Sequence, residues 1–556
     1  MRRLVLRRSF AVGSLLVAMA VPLTAPTPAS AVTFSFAFSH GTETVIGTSG
    51  SDLLTITCTG GTLEASGVDS AEGCGNIKRI VVKAGDGDDT LDVTAVSHSS
   101  FIIATATTLI GGKGDDHVYT GPEDDTVDAG PGRDYLYPFG GHDAFDGGSG
   151  YDDLLTTNGK DQTITNTSYD GLGHASLASI EACNLTSGST NDTLDSTGWT
   201  KRTGSPALFG GDGNDTLLGG PMRETLNGGA GADILKGGGG NDYLTPDASA
   251  VPSDDTIVGG PGHDTVYAAM YGGGSIQDTV MTLGGTDTMS GIEYVQASDD
   301  ASFAGPALVD ASGFHGAIGV TGSPLGDTVI GGLGNDFFQG HAGNDTFDGK
   351  QGTDTLSTTI VGAGTVNVSS GSATSTTDGT DSFDHVERVF VHGDSAAQSF
   401  GASAFSGRVT IEGNGGNDSV NGNGANTIYE SSATSPVVVT DTEITAGSSD
   451  VLLTNVGHVY IGSSSIAPIS MDASAFSGSV RLFGNTKKDT LIGSPHADWL
   501  VGFGGHDVLK GLGGDDKIWG SPGDDVYRGG PGKDLCDNGS GDNATSCEGK
   551  APKFPT

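Results

Sequence analysis

Residues 111–155 place an aspartate at every ninth position: Asp116, Asp125, Asp134, Asp143 and Asp152. In frame the stretch reads GGKGDDHVY, TGPEDDTVD, AGPGRDYLY, PFGGHDAFD, GGSGYDDLL. Position six is always Asp, and position eight is always apolar: Val118, Val127, Leu136, Phe145 and Leu154. The frame returns at 210–245 with Asp215, Glu224, Asp233 and Asp242, then resumes with Asp255 and Asp264. It recurs at 322–357 with Asp327, Asp336, Asp345 and Asp354, and at 484–537 with Asp489, Asp498, Asp507, Asp516, Asp525 and Asp534. Single units carry Asp89 in AGDGDDTLD and Asp418 in GNGGNDSVN. A unit this short buries nothing alone, so a fold that repeats it must stack its units against one another.

The unit is G-G-x-G-x-D-x-U-x. Its glycine-rich first six residues can turn sharply and aim carbonyls inward. The last three form a very short strand whose middle side chain, U, points to one face. Two units make a coil of 18 residues, and stacked coils pair their strands in parallel around a narrow core. Position-six acids of units n and n+2 then lie about 4.8 Å apart. At an effective dielectric near 20, two charges so placed repel by roughly 3 kcal/mol. A cation between the turns reverses that sign. Calcium suits the place, since it takes six to eight oxygens and accepts carboxylates and carbonyls together. Magnesium demands stricter octahedral order, and zinc prefers sulfur and nitrogen, which are scarce here.

The nonapeptide resembles the calcium-binding repeats of the RTX, or haemolysin-type, exoproteins. The resemblance implies an all-β fold, a parallel β-roll or β-helix solenoid with irregular β-helical coils between the arrays. It also implies multiple Ca2+ ions, held by each position-six acid named above and by carbonyls of the glycine-rich turns. Two departures stand out. Glu224 replaces Asp in one unit, and an export signal sits at the N-terminus where many members carry one at the C-terminus.

That signal is read in residues 1–31: Arg2, Arg3, Arg7 and Arg8, an apolar stretch from Phe10 to Leu23, then Ala29-Ser30-Ala31. RRSF at 7–10 partly matches a twin-arginine signal, but the general export route is the expectation. The expected product is secreted and extracellular, with no membrane span. Beyond residue 31 the chain carries 22 Lys+Arg against 68 Asp+Glu, a charge of −46, which repels nucleic acid and anionic membranes. Cysteine use fits an oxidising compartment, with bridges expected at Cys58–Cys74 and Cys536–Cys547 and an inert, buried Cys183.

A longer order underlies the nonapeptides. DASGFHGAIGV at 310, GASAFSGRVTI at 401 and DASAFSGSVRL at 472 align, each leading into an acidic run. Strand-like pieces NIKRIVV, SIEACNL, GIEYVQA, HVERVFV and GHVYIGS punctuate the chain. The expected organisation is an N-terminal β segment (32–82) and five modules: 83–175 with repeats 111–155, 176–287 with repeats 210–267, 288–381 with repeats 322–357, 382–450 with the short repeat 413–428, and 451–556 with repeats 484–537.

No H-E-x-x-H helix and no G-x-S-x-G elbow occurs, and only 32–82 lies outside the modules. The expectation is therefore no catalytic residue and no enzyme, but a calcium-loaded exoprotein with a structural, adhesive or matrix role. The alternative is a polysaccharide-active β-helix enzyme, a lyase or epimerase, with Arg388 and Arg408 as candidates and a cell-surface or matrix polysaccharide as partner. Glu293 and Glu387 are expected to be solvated or to cap turns. His142, His263 and His506, all at position five, are expected as exposed turn residues.

Overall fold

The structure, a computed structural model, describes residues 35–101, 106–157, 160–247, 253–270, 273–283, 285–299, 305–433, 436–446, 449–463, 465–537 and 542–551. The expected signal segment, 1–31, lies outside them. The described residues form two compact units, 35–299 and 305–551. Both are parallel β-rolls. Among the described residues there is no α-helix, and no helix is long and apolar enough to cross a membrane.

The N-terminal unit opens with the antiparallel pair Ser35–Ser39 and Thr42–Ile46, followed by Leu53–Thr59 against Thr62–Ala65 and the latter against Val68–Gly73, these tied by Cys58–Cys74 with Cα atoms 6.1 Å apart. From there the chain winds. His117–Tyr119 pairs in parallel with Tyr135–Tyr137, which pairs with Asp153–Leu155. The opposite face stacks Asp124–Gly132 between Ala106–Lys113 and His142–Gly150. Leu136 faces Val118 on one side and Leu154 on the other, so a coil is two nonapeptides, as the period requires.

The U side chains form the core. Leu185, Leu208, Leu226, Leu244, Val266 and Val295 stack in one fully buried column, and Leu194, Leu217, Leu235, Ile257 and Met289 in the facing one. Cys183 belongs to this series, paired opposite Leu154. It is fully buried and its thiol pKa is pushed up, first by burial. Each full burial of such a side chain stabilises the roll by about 1.5–3 kcal/mol.

The C-terminal unit repeats the plan. Trp499–Val501 pairs with Lys517–Trp519, and Val508–Lys510 lies between Thr490–Ile492 and Val526–Arg528. Its last coil is closed by Cys536–Cys547, with Cα atoms 5.9 Å apart. In both units some coils are enlarged by antiparallel excursions. Thr365–Ser369 turns back through Ser372–Ser375, and Gly379–Asp384 then rejoins the parallel stack.

The aligned DASAFSG stretches are hydrophobic corners. Phe314, Phe405 and Phe476 are buried, and their N–H groups donate to the carbonyls of Ala311, Ala402 and Ala473. Val96 on Val93 and Trp199 on Ser196 make the same corner. At four of the five, an aspartate (Asp92, Asp195, Asp310 or Asp472) accepts the N–H two residues on, which fixes the turn locally.

Candidate metal centre

Stacked coils set the position-six acids in ladders. The backbone N–H of each acid donates to a carboxylate oxygen of its counterpart one coil on. Asp89 donates to Asp116 (2.8 Å), Asp116 to Asp134 (2.8 Å) and Asp134 to Asp152 (2.9 Å). Asp125 donates to Asp143. Two ladders follow in the second array, Asp215 to Asp233 to Asp255 and Glu224 to Asp242 to Asp264. In the C-terminal unit Asp327 donates to Asp345, Asp336 to Asp354, Asp489 to Asp507 to Asp525, and Asp498 to Asp516 to Asp534. Asp418 stands outside these runs and accepts from the Gln398 N–H. All of these acids are buried, none more than 5% exposed.

Position five makes a second ladder running the other way. The Asp115 carboxylate accepts from the Arg133 N–H, Asn214 from Ala232, and Asp515 from Lys533. His506 does the same through Nδ1, from the Asp524 N–H at 3.0 Å. His142 and His263 donate their own N–H groups to Asp124 and Asn241, and all three histidines are exposed.

In five ladders the first acid is satisfied within its own turn, whereas Glu224, which heads its ladder, is not. Asp125, Asp327, Asp336, Asp489 and Asp498 each accept through Oδ2 the N–H at position two of the same unit: Gly121, Ser323, Gly332, Asn485 and Ser494. Later acids differ. In most of these units position two swings to left-handed φ even when it is not glycine, as at Phe503 (71°) and Leu512 (78°). The second carboxylate oxygen then has no hydrogen-bond partner. Asp89, Asp116, Asp134, Asp152, Asp215, Asp233, Asp242, Asp255, Asp264, Asp345, Asp354, Asp507, Asp516 and Asp534 all bury such an Oδ2, and Glu224 buries both oxygens. In Asp143, Asp418 and Asp525 a hydroxyl from Thr120, Tyr429 or Tyr527 supplies the missing partner.

A buried carboxylate oxygen without a partner is costly, and the pKa values of these acids are raised. Burial first, and neighbouring carboxylates after it, push Asp116, Asp233 and Asp507 up to about 7 and Asp345 and Asp516 to about 8. Glu224 is raised by burial and by Asp242.

Main-chain carbonyls share the space of the orphaned oxygens. A methyl group on Gly511 would collide with Asp516 Oδ2 and lie 2.7 Å from the Gly529 carbonyl; one on Gly237 would collide with Asp242 Oδ2 and lie 2.8 Å from the Gly259 carbonyl. Glycine at position one thus leaves room where two oxygens converge. Among the described residues no three His, Cys, Asp or Glu side chains gather as metal ligands, so a cation held here would take main-chain oxygens as well. Paired carboxylate and carbonyl oxygens, left unsatisfied by the protein, are a donor set that fits calcium.

Several ladder members were missed in the sequence. Asp52 donates to Asp89, Asp192 to Asp215, Asp255 to Asp287, Asp345 to Asp381 and Asp525 to Asp542. Their signal is the short string D-x-U, as in SDLL, NDTL, TDTM and TDSF, without the complete glycine frame. Arg388 and Arg408 are register partners on adjacent strands. Glu293 and Glu387 each accept the backbone N–H of the last acid of a ladder.

A family model described as the RTX calcium-binding nonapeptide repeat (four copies) matches residues 104–136, 119–154, 207–221, 218–248, 251–269, 321–356, 406–429 and 501–536. Asp89, Asp489 and Asp498 lie outside those matches, yet stand in the same ladders. No curated protein matches the chain. Among solved structures, the chain is similar to the extracellular lipase LipA from Serratia marcescens, at 16% identity and a TM-score of 0.14, over 44% of this chain. The match spans 38% of the lipase's length.

Proposed function

Because this chain carries RTX calcium-binding nonapeptide repeats in multiple copies, we propose that it is a secreted exoprotein whose β-rolls are held closed by calcium and which serves a structural, adhesive or matrix role without catalysis. The observation that carries this reading is the row of buried, partnerless carboxylate oxygens beside glycine carbonyls. They occur in both units, which supports metal binding in each. Calcium would be held by the position-six acids and position-one carbonyls, and would supply the positive charge that lets the coils stack at neutral pH. Extracellular modules bind calcium with dissociation constants on the order of 10⁻⁴–10⁻³ M, which couples closure of the roll to arrival outside the cell. Tagged protein expressed in a secreting host should collect outside the cells, associate with their surface or matrix in millimolar calcium, and leave it in EGTA. Protein that stays in the cytoplasm, or surface association indifferent to EGTA, overturns the proposal.

A second reading, a polysaccharide-active β-helix, is favoured by one face of the C-terminal unit. There Arg388 abuts Arg408, His392 Nδ1 lies 2.9 Å from Glu412 Oε2, and Glu412 pairs in register with Glu430. Burial and the Glu412 carboxylate raise the pKa of Glu430, while Arg481 and Arg408 oppose the rise. Arg481 lies over both Tyr460 and Trp499. Calcium-dependent cleavage of an acidic polysaccharide that is lost in Glu430→Gln would establish this reading. No turnover across a panel of such polymers would retire it.

A further inference from the structure

Four ladders end in the same way, and not in another nonapeptide. The last acid of each, Asp152, Asp264, Asp354 or Asp534, donates its backbone N–H to a glutamate Oε2: Glu181 (3.1 Å), Glu293 (2.8 Å), Glu387 (2.8 Å) and Glu548 (2.7 Å). The glutamates lie at different sequence distances from those acids, 14 to 33 residues. Their settings nevertheless agree in detail. The N–H of the glutamate and that of the next residue both donate to the carbonyl of the last aspartate, at 2.9–3.2 Å in every case.

Two residues before each glutamate the backbone enters the left-handed region, at Ser179 (53°), Gly291 (61°), His385 (51°) and Ser546 (54°). That bend aims a carbonyl at the position-one glycine of the last unit: Ser179 at Gly147, Gly291 at Gly259, His385 at Gly349 and Ser546 at Gly529. In an ordinary coil this place belongs to the position-one carbonyl one coil on, as Gly529 serves Gly511. Between the bend and the glutamate stands an inward residue, Ile180, Ile292 or Val386, and at the last clasp the disulfide-bonded Cys547.

The last acid remains unsatisfied. Asp152, Asp264, Asp354 and Asp534 each bury an Oδ2 without a partner and are no more than 1% exposed. The end of each ladder therefore offers the donors of an internal gap: an orphaned aspartate oxygen, an inward carbonyl, and a carboxylate whose one oxygen is fixed by a backbone N–H. Three residues do the work of six because glutamate is one methylene longer than aspartate. The glutamates are half-buried or exposed, so water reaches their free oxygen and can complete a calcium shell.

We infer that the tripeptide of left-handed residue, inward residue and glutamate is a terminal calcium clasp, and that Glu181, Glu293, Glu387 and Glu548 are calcium ligands. The inference rests on the calcium reading above and adds one ion at the end of each of these four ladders. It also gives the I-E and V-E strings a function as array terminators.

The test is calcium counting by equilibrium dialysis on the full chain, with Glu387→Gln, Glu548→Gln and Asp516→Asn measured beside the unsubstituted protein. Glutamine keeps an oxygen to accept the aspartate N–H but loses the charge. Each glutamine variant should bind one calcium fewer, or bind one at least tenfold more weakly, while its circular dichroism in millimolar calcium is unchanged. Two glutamates in separate arrays are used so that the result does not hang on the folding of one variant. Glutamine variants that keep every ion while Asp516→Asn loses one would overturn the clasp and leave the wider reading intact. An unsubstituted protein that binds no calcium would overturn both.

Discussion

Asp516 allows the charge account to be tested with two effects of opposite sign. Its Oδ1 accepts the Asp498 N–H at 2.9 Å, and its Oδ2 is buried without a partner. Burial first, then Asp498 and Asp534, push its pKa to about 8. In metal-free folded protein at pH 7 the group is therefore protonated, while in the unfolded chain, with a pKa near 3.9, it is ionised. Holding that proton across about three pH units costs roughly 4 kcal/mol at 1.4 kcal/mol per unit. The folded pKa is raised, so this contribution to stability is complete below about pH 4 and is lost as pH rises through about 8. Asp516→Asn is neutral in both states and removes the penalty. After allowance for relaxation around the site, a gain of about 2 kcal/mol is expected in EGTA at pH 7. In calcium the sign reverses, because the site has lost a charged ligand; a tenfold weaker site corresponds to about 1.4 kcal/mol. Trp499 and Trp519, with ring centroids 5.7 Å apart, report on these coils. Urea melts followed by their fluorescence should cross: the variant more stable in EGTA, less stable in millimolar calcium. A loss of equal size in both media would refute the reasoning, since the carboxylate would then be acting only as a hydrogen-bond acceptor.

The same sign governs the whole chain. Chelated protein should gain β-structure by circular dichroism as pH falls from about 8 to about 5, as acids such as Asp116 and Asp345 take up protons; constant ellipticity across that range would contradict it. Gly511→Ala should cost about 1–3 kcal/mol in calcium by overcrowding, whereas Leu512→Gly should gain about 1 kcal/mol by relieving a left-handed φ of 78°; chemical denaturation distinguishes the two. Leu235→Ala, in a fully buried column, should cost about 2–5 kcal/mol and lower the melting temperature of the N-terminal unit.

Much of this fold was legible because one period carries two kinds of information. Asp at position six and an apolar residue at position eight specify both the ladder and the core, and Asp116 with Val118 or Asp516 with Ile518 needs no distant context. Legibility stopped where the chain reaches the same geometry by other means. Asp287 and Asp381 complete ladders from units whose glycine turns have been replaced by antiparallel excursions, so only D-x-U remains to be seen. The corners at Val96 and Trp199 match those at Phe314, Phe405 and Phe476 in hydrogen bonding, but differ in the side chain that fills the corner. Glu181 and Glu387 sit in strings that read as plain strand, because a three-residue turn leaves no glycine mark. The satisfied and unsatisfied acids, Asp498 and Asp516 for example, share the position-six aspartate and the apolar residue two places on; what separates them is the backbone at position two, Ser494 donating to Asp498 while Leu512 turns to left-handed φ.

Calcium titration of chelated protein at pH 7.5, read by circular dichroism with parallel equilibrium dialysis, bears most directly on the claim that cations hold the coils together. The account predicts a cooperative rise in β-signal in the 10⁻⁴–10⁻³ M range, saturating with several ions bound per chain. A chelated protein already fully folded at that pH, with no ion taken up on titration, would contradict it.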